Sequence, residues 1–140
     1  MITTLRNALA AAAAVTLLAV TGCASQTTAP AQSVSILEPV NGATVGTTFK
    51  VRFGVKGLEV APAGDIVANS GHHHLLVNLD SLPAGESIPF SEQHIHFGKG
   101  QTEAEVKLAP GTYKLTAQFA NGAHQSYGKP LSQTISVTVK

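Results

Sequence analysis

The chain has 140 residues, of which 44% are hydrophobic and 12% are charged, with a formal net charge of +1 and a single cysteine. That length accommodates one domain. Arg6 is the only charged residue among the first 22 positions, so the rest of the chain keeps 8 of the 9 basic residues against 8 acidic ones and is neutral. A neutral chain lacks the field that attracts polyanions, and one cysteine cannot form an internal disulfide. We therefore expect neither a nucleic-acid partner nor a disulfide framework.

Residues 1–22 have the pattern of a lipoprotein signal peptide. Arg6 precedes an apolar run, Ala8 to Val20, which is short for a membrane span but suits the hydrophobic region of a signal peptide. The run ends in Val20-Thr21-Gly22-Cys23, which resembles a lipobox, the sequence in which the cysteine is acylated and becomes the mature N-terminus. The alternative is an ordinary secretory signal that places its only cysteine there.

The sequence predicts one partner, the membrane, to which the lipid on Cys23 would attach the protein. A thioether to lipid also leaves no free thiol, which accounts for a lone cysteine in a chain exported to an oxidising compartment. Ala24 follows Cys23, so the aspartate of an inner-membrane retention signal is absent. In a Gram-negative source, the lipobox resemblance therefore implies a lipoprotein of the outer membrane that faces the periplasm.

A short connecting segment is predicted between the lipidated cysteine and the folded part of the chain. Residues 23–32 comprise Cys23 and the sequence ASQTTAPAQ, which is small, polar and without periodicity, as in a flexible tether. Residues 33–140 then form the folded domain. No internal repeat or charge block interrupts that domain.

The domain shows the two-residue alternation of β-strands and no sustained helical period. Turn sequences such as Asn41-Gly42 and Pro110-Gly111 separate the strands. This pattern predicts an all-β fold, a small antiparallel immunoglobulin-like β-sandwich of about seven strands, with a jelly roll as the alternative. Tyr113, just after Pro110-Gly111, is a candidate corner tyrosine. The predicted inward rows are Val34 and Ile36; Phe49, Val51, Phe53 and Val55; Leu75, Val77 and Leu79; Thr102, Ala104, Val106 and Leu108; Tyr113, Leu115, Ala117 and Phe119; and Ile135, Val137 and Val139.

Five of the six histidines fall within 25 residues and are the main chemical signal of the sequence. Side chains two apart on a strand share a face, so His72 and His74 project together and His94 and His96 project together. Neutral imidazoles are good ligands for Zn(II) and Cu(II). These four histidines are therefore the predicted metal ligands, and metal affinity should fall below the ordinary histidine pKa of about 6.5.

Other residues near the two histidine pairs are predicted to have supporting roles. His73 is in line with Leu75 and should end the core row, while His124 lies in a turn-rich loop; both are outer or alternative ligands. Glu92 could orient an imidazole. The alternative is a structural cluster, in which the imidazoles only form hydrogen bonds that close one end of the sandwich.

Two glycines flank a lysine after the second histidine pair. Gly98, Lys99 and Gly100 are a candidate anion nest, in which successive backbone amides hold an anion. The alternative is a glycine turn that leaves Lys99 in solvent. The segment lacks the strand–loop–helix context of a P-loop, so nucleotide binding is not expected.

Three segments of the sequence resemble the signature of a bacterial family known as domain of unknown function 4399. They are GLEVAPAG from Gly57, GHHHLLV from Gly71 and HIHFGKGQTE from His94, and the resemblance extends roughly from Val51 to Val139. Members of that family are small exported proteins or lipoproteins without an assigned activity. The resemblance therefore implies a location in the cell envelope and leaves the chemistry open.

Taken together, these features predict a lipid-anchored periplasmic binding module whose histidine cluster holds Zn(II) or Cu(II). No obvious general base or nucleophile lies in the histidine window, which favours binding over catalysis. One alternative is a small metal-dependent enzyme with a three-histidine site and Glu92 or Glu103 as its base. The other is an interaction module without a cofactor, which binds a protein or envelope component that the sequence does not identify.

Overall fold

The computed structural model describes residues 31–140. The predicted signal peptide (residues 1–22), the predicted lipidation site Cys23 and residues 24–30 of the predicted tether lie outside the described residues. Within residues 31–140, no helix is long and apolar enough to cross a membrane.

The described residues form nine β-strands and one short 3-10 turn, Lys129–Leu131. Three of the strands have only two or three residues, too few to give a periodic pattern, which is why the sequence predicted about seven. The all-β sandwich is confirmed. In chain order, the strands are β1 (Ser33–Glu38), β2 (Ala43–Val45), β3 (Thr48–Lys56), β4 (Glu59–Val60), β5 (Ser70–Val77), β6 (His94–His96), β7 (Glu103–Lys107), β8 (Gly111–Ala120) and β9 (Ser132–Val139).

The strands are arranged in two sheets. The smaller sheet has the order β1-β3-β7, and the larger has the order β2-β9-β8-β5-β4, with β6 paired to β5. Pairing is antiparallel except for the two short edge contacts β2–β9 and β4–β5, which are parallel. The position of β5 between β8 and β6 matters most for the site, because it gives the central histidines a neighbour on each side.

The hydrophobic core lies between the two sheets and is built from the alternating rows of the sequence. The buried members of this cluster include Val51 and Phe53 from β3, Leu75 from β5, Leu115 from β8 and Val137 from β9. Each of these strands contributes its inward positions because every second side chain points to the same face.

The predicted row Leu75, Val77 and Leu79 is wrong at its last member. Strand β5 ends at Val77, and Asn78 adopts a left-handed conformation with φ 59°. Leu79 therefore packs in a second, smaller cluster with Leu76 and Ile88. Asparagine tolerates this backbone conformation better than most residues. Asn78 is therefore a signal for the end of the strand, which hydrophobic periodicity alone does not show.

The segment between β5 and β6 covers the outer face of the larger sheet. Every residue of β5 is buried, including those that face away from the main core. Thr116 of β8 donates a hydrogen bond to the carbonyl of Leu79, and the amide of Leu82 donates to the side-chain oxygen of Gln118. These contacts satisfy polar groups on a face that would otherwise meet solvent, so β5 is enclosed on both sides.

Tyr113 occupies the position expected of a corner tyrosine. It is half-buried at the start of β8, and its hydroxyl donates a 2.9 Å hydrogen bond to the carbonyl of Ala109, four residues earlier. The bond ties the turn before β8 to the strand itself.

We expect Tyr113→Phe to lower the free energy of unfolding by about 1 kcal/mol, because it removes one hydrogen bond and keeps the ring. Urea denaturation of the two proteins measures the difference. Metal binding should not change, since Tyr113 lies at the end of the sandwich opposite the histidines. An unchanged free energy of unfolding would show that water replaces the lost bond at no cost.

Candidate metal centre

Strand β5 presents its three consecutive histidines to two different environments. Alternation along the strand directs His72 and His74 to the outer face of the larger sheet and His73 into the main core. All three side chains have 0% exposure. The imidazole of His73 stacks on the ring of Phe53 with centroids 4.6 Å apart, and it meets the edge of Phe119 at 5.0 Å.

The register between β5 and β6 brings the second histidine segment to the first. His96 is directly opposite His74 in this antiparallel pair. The nearest ring nitrogens of His72 and His74, their Nε2 atoms, are 3.0 Å apart. His72, His74 and His96 each offer one ring nitrogen such that the three atoms lie within 4.8 Å of one another. These three side chains are the group that could hold a metal ion.

A fourth imidazole reaches the group from the turn after β8. The Nε2 atom of His124 lies 3.1 Å from the Nε2 atom of His96. Its ring centroid is 4.9 Å from that of His72 and 5.8 Å from that of His74. A tetrahedral ion with metal–nitrogen distances of 2.0–2.1 Å holds its ligand nitrogens about 3.3–3.4 Å apart. The two close nitrogen pairs are therefore within a few tenths of an ångström of that spacing.

The turn that carries His124 is held by Asn121. The side-chain oxygen of Asn121 accepts hydrogen bonds from the amides of Ala123 and Gln125, each 3.0 Å long. His124 itself has a positive φ of 64°, a conformation that histidine adopts more often than most residues. The turn therefore orients His124 toward His96 through backbone geometry that hydrophobic periodicity does not reveal.

Gly98 provides the space that the His96 ring occupies. A Cβ atom at position 98 would overlap the imidazole of His96. Only glycine leaves that side of the ring free. The second glycine-dependent contact is at Gly122, where a Cβ would overlap the backbone carbonyl of Asp65, so the turn that carries His124 packs directly on the β4–β5 loop.

Burial keeps these imidazoles neutral. Desolvation, followed by repulsion from His96 and His124, lowers the pKa of His72 to about 4. Desolvation, followed by repulsion from neighbouring histidines, lowers the pKa of His74 to about 3, and desolvation and His72 lower that of His73 to about 4. Desolvation and His124 also lower the pKa of His96. The rings of His72 and His74 are thus in the form that binds metal, and protons compete for these two rings only at a pH well below the 6.5 expected from the sequence.

Two buried ring nitrogens of the group have no hydrogen-bond partner. They are the Nδ1 atoms of His72 and His74. If the two Nε2 atoms share one proton in a hydrogen bond, one of the Nδ1 atoms carries a buried N–H without an acceptor. An ion bound to the two Nε2 atoms would end the competition between the rings for that proton. The Nδ1 atoms would still lack the acceptor that usually orients a metal-bound imidazole.

The other predicted site residues lie outside the group. The Nδ1 atom of His94 is 2.7 Å from the hydroxyl of Ser91, which turns this ring toward its own turn. Glu92 is exposed, and no hydrogen bond joins it to an imidazole among the described residues. In the candidate anion nest, the amide of Lys99 donates to the side chain of Gln101 and the amide of Gly100 donates to the carbonyl of Phe97. Both amides already have acceptors within their own loop.

Phe90, for which no role was predicted, covers the exposed side of the group. Its ring meets those of His96 and His124 edge-on, with centroids 5.1 and 5.2 Å away, although 69% of the side chain remains exposed. Phe90 lies in a segment rich in proline and serine, where no alternation is present to indicate its direction. An exposed phenylalanine close to a histidine pair was the only available signal.

The fold and the histidine group can now be compared with known proteins. The family model described as domain of unknown function (DUF4399) matches residues 51–140, and the chain belongs to this family. The match contains most of β3, all of β4 to β9 and all the histidines of the group. No protein of curated function shows a significant match.

Two solved structures are similar to the chain. One is the endo-beta-1,4-mannanase from Thermotoga petrophila, with 17% identity and a TM-score of 0.44. The other is an engineered protein from a structural genomics consortium, with 20% identity and a TM-score of 0.45. Each match covers 78% of this chain and 20% of the other, so the chain spans about a fifth of each of those proteins.

The lowered pKa values predict that acid destabilises the metal-free protein. In the unfolded chain, these histidines take up protons near pH 6.5, whereas in the folded protein His72, His73 and His74 take them up only near pH 3–4. The free energy of unfolding should therefore fall as the pH drops from about 6.5 toward 4, by up to about 1.4 kcal/mol per pH unit for each histidine.

Urea denaturation between pH 7.5 and 4.5 measures this slope. His73→Phe keeps an aromatic ring between Phe53 and Phe119 and removes one titrating group, so its slope should be smaller by about one proton. Equal slopes for the two proteins would show that His73 is protonated as easily in the folded state as in the unfolded state.

Proposed function

We propose that this protein is a lipid-anchored metal-binding module of the cell envelope that holds Zn(II) or Cu(II) through His72, His74 and His96, with His124 as the fourth ligand. The observation that carries the proposal is the convergence of imidazoles from three separate chain segments. They meet with two Nε2–Nε2 distances of 3.0 and 3.1 Å.

The type of donor supports these two metals. Imidazole nitrogens are ligands of intermediate softness that suit Zn(II) and Cu(II). The only methionine of the chain is Met1 and the only cysteine is Cys23, so a thioether or thiolate site for Cu(I) has no donors in the folded domain. The lowered pKa values of His72 and His74 also favour metal binding, because neutral rings release no proton when they bind the ion.

The arrangement favours binding over catalysis. A catalytic zinc site keeps one position open and places a base beside it. Here the Nε2 atom of His124 lies 3.1 Å from that of His96, so His124 would occupy the fourth position. Glu103 lies on the smaller sheet and forms ion pairs with Lys50 and Arg52, and Glu92 has no hydrogen bond to the group. The enzyme alternative therefore has no carboxylate in place to act as its base.

A purely structural cluster is also less favoured. In that alternative, hydrogen bonds would satisfy each buried imidazole. Instead, the rings face one another through Nε2–Nε2 contacts of 3.0 and 3.1 Å, and the Nδ1 atoms of His72 and His74 have no partner, so hydrogen bonds to the rest of the protein do not satisfy this group. A bound ion would account for the burial of these rings, because neutral and dehydrated imidazoles can coordinate it directly.

We expect His74→Ala and His96→Ala each to weaken Zn(II) or Cu(II) binding by at least a hundredfold, because each removes one of three ligands that lie close together. His124→Ala should weaken binding less. Isothermal titration calorimetry at pH 7 measures the affinities, and elemental analysis of the protein purified from its native compartment identifies the metal.

His94→Ala is the matched control. His94 is on the same strand as His96, but its ring is bound to Ser91 outside the group. This variant should keep an affinity within a few-fold of the unchanged protein. Equal losses in His94→Ala and His96→Ala, or no histidine-dependent binding of either metal, would contradict the proposal.

The anchoring part of the proposal rests on the lipobox-like sequence that ends at Cys23. Cys23→Ser should release the protein from the membrane fraction, because serine cannot form the thioether to lipid. The melting temperature and metal affinity should not change, since position 23 precedes the described fold. Retention of the variant in the membrane fraction, detected by immunoblotting, would contradict lipidation at this position.

A further inference from the structure

The metal-site end of the sandwich also carries most of the large apolar side chains that remain exposed. Phe90 is 69% exposed, Ile66 is 62% exposed and Val67 is 56% exposed. Ile66 and Val67 lie in the β4–β5 loop. We refer to these three residues as the apolar rim.

The two parts of the rim are the β4–β5 loop and Phe90. Both contact His96 and His124 or the turns next to them. In the β4–β5 loop, the amide of Ala63 donates to the carbonyl of Gly98 and the amide of Gly64 donates to that of Gly122. Gly98 packs under His96 and Gly122 lies two residues before His124, while Phe90 contacts both of these imidazoles. The loop is therefore fixed against the same two turns that position the site.

The chain enters the fold at this same end. The side chain of Gln32 donates hydrogen bonds to the carbonyl of Gly57 and to the side-chain oxygen of Asn69, both 3.2 Å long. Asn69 is two residues from Val67 and directly precedes β5. The first described residues therefore emerge beside the β4–β5 loop.

The length of the preceding chain limits how far this end can lie from a membrane. Nine residues lie between Cys23 and Ser33, so ten Cα–Cα steps join them. For the flexible tether that the composition predicts, the root-mean-square span is about 16–19 Å. Strand β8, which has ten residues, is about 33 Å long. The tether is thus about half the length of the sandwich, which favours an orientation with the entry end toward the bilayer.

We propose that the apolar rim rests on the lipid surface to which Cys23 anchors the protein, so that the metal site opens toward the membrane. This inference rests on the anchoring part of the proposed function. Apolar side chains at a membrane surface are stabilised by partial burial among the headgroups and acyl chains. The affinity of the rim can be small, because the anchor holds it at high effective concentration near the bilayer.

Labelling at Val67 tests the proposal in the full lipidated protein. Val67→Cys carries an environment-sensitive fluorophore, and acylated Cys23 offers no competing thiol. The protein is placed in vesicles of phosphatidylethanolamine and phosphatidylglycerol that contain a lipid-attached quencher. Val40→Cys is the matched control, because Val40 is 67% exposed but lies in the turn before β2, at the opposite edge of the larger sheet.

We expect quenching at position 67 to be several-fold greater than at position 40, with the same result for a label at Ile66→Cys. Equal quenching at both edges of a vesicle-bound protein would overturn the membrane orientation and leave the anchor intact. A protein that does not sediment with the vesicles would overturn the anchor and, with it, this inference. Protection of the Val67 label by an added envelope protein, but not by lipid, would assign the rim to a protein partner and also overturn it.

Discussion

The burial of β5 on both faces is the constraint on which the rest of the structure depends. One face of this strand completes the core between the sheets, where His73 stacks on Phe53. The other face is covered by the β5–β6 segment, which places His72 and His74 in a dehydrated environment. Because successive side chains alternate, three consecutive histidines cannot all share one environment. The fold therefore uses one imidazole for packing and two for the site.

Dehydration has a cost that a bound ion can offset. A buried ring nitrogen without a partner loses its hydration, which in mutational data amounts to about 1–3 kcal/mol per group. His72 and His74 each have one such nitrogen, and His73 has two. An ion that binds only the folded protein raises its free energy of unfolding by RT ln(1 + [L]/Kd), where [L] is the concentration of free ion and Kd is its dissociation constant. Metal binding at the proposed site would thus be coupled to folding at β5, and a stable core is what permits the buried imidazoles to stay neutral without the ion.

The sequence predicted the parts of the molecule that depend on alternation and left open the parts that depend on turns. The rows of β3, β8 and β9 and the pairing of His72 with His74 follow from a two-residue period. His124 reaches the group through a left-handed turn held by Asn121, and His94 leaves it through a bond to Ser91. Both effects arise from single hydrogen bonds and local backbone angles. Periodicity therefore favoured His94 over His124, because it has no access to these local contacts.

The site and the apolar rim share the same supports, which ties the position of His124, the proposed fourth ligand, to the surface beside it. Gly122 can sit on the backbone of Asp65 only because it has no side chain, and His124 follows two residues later. A displacement of the β4–β5 loop would therefore move the turn that carries His124, whereas His74 is held by pairing on both sides of β5 and His72 by pairing with β8. Three of the imidazoles lie on strands of the larger sheet and one belongs to a turn. Of the four imidazoles, His124 is therefore the one whose position is most easily altered by contacts at the rim.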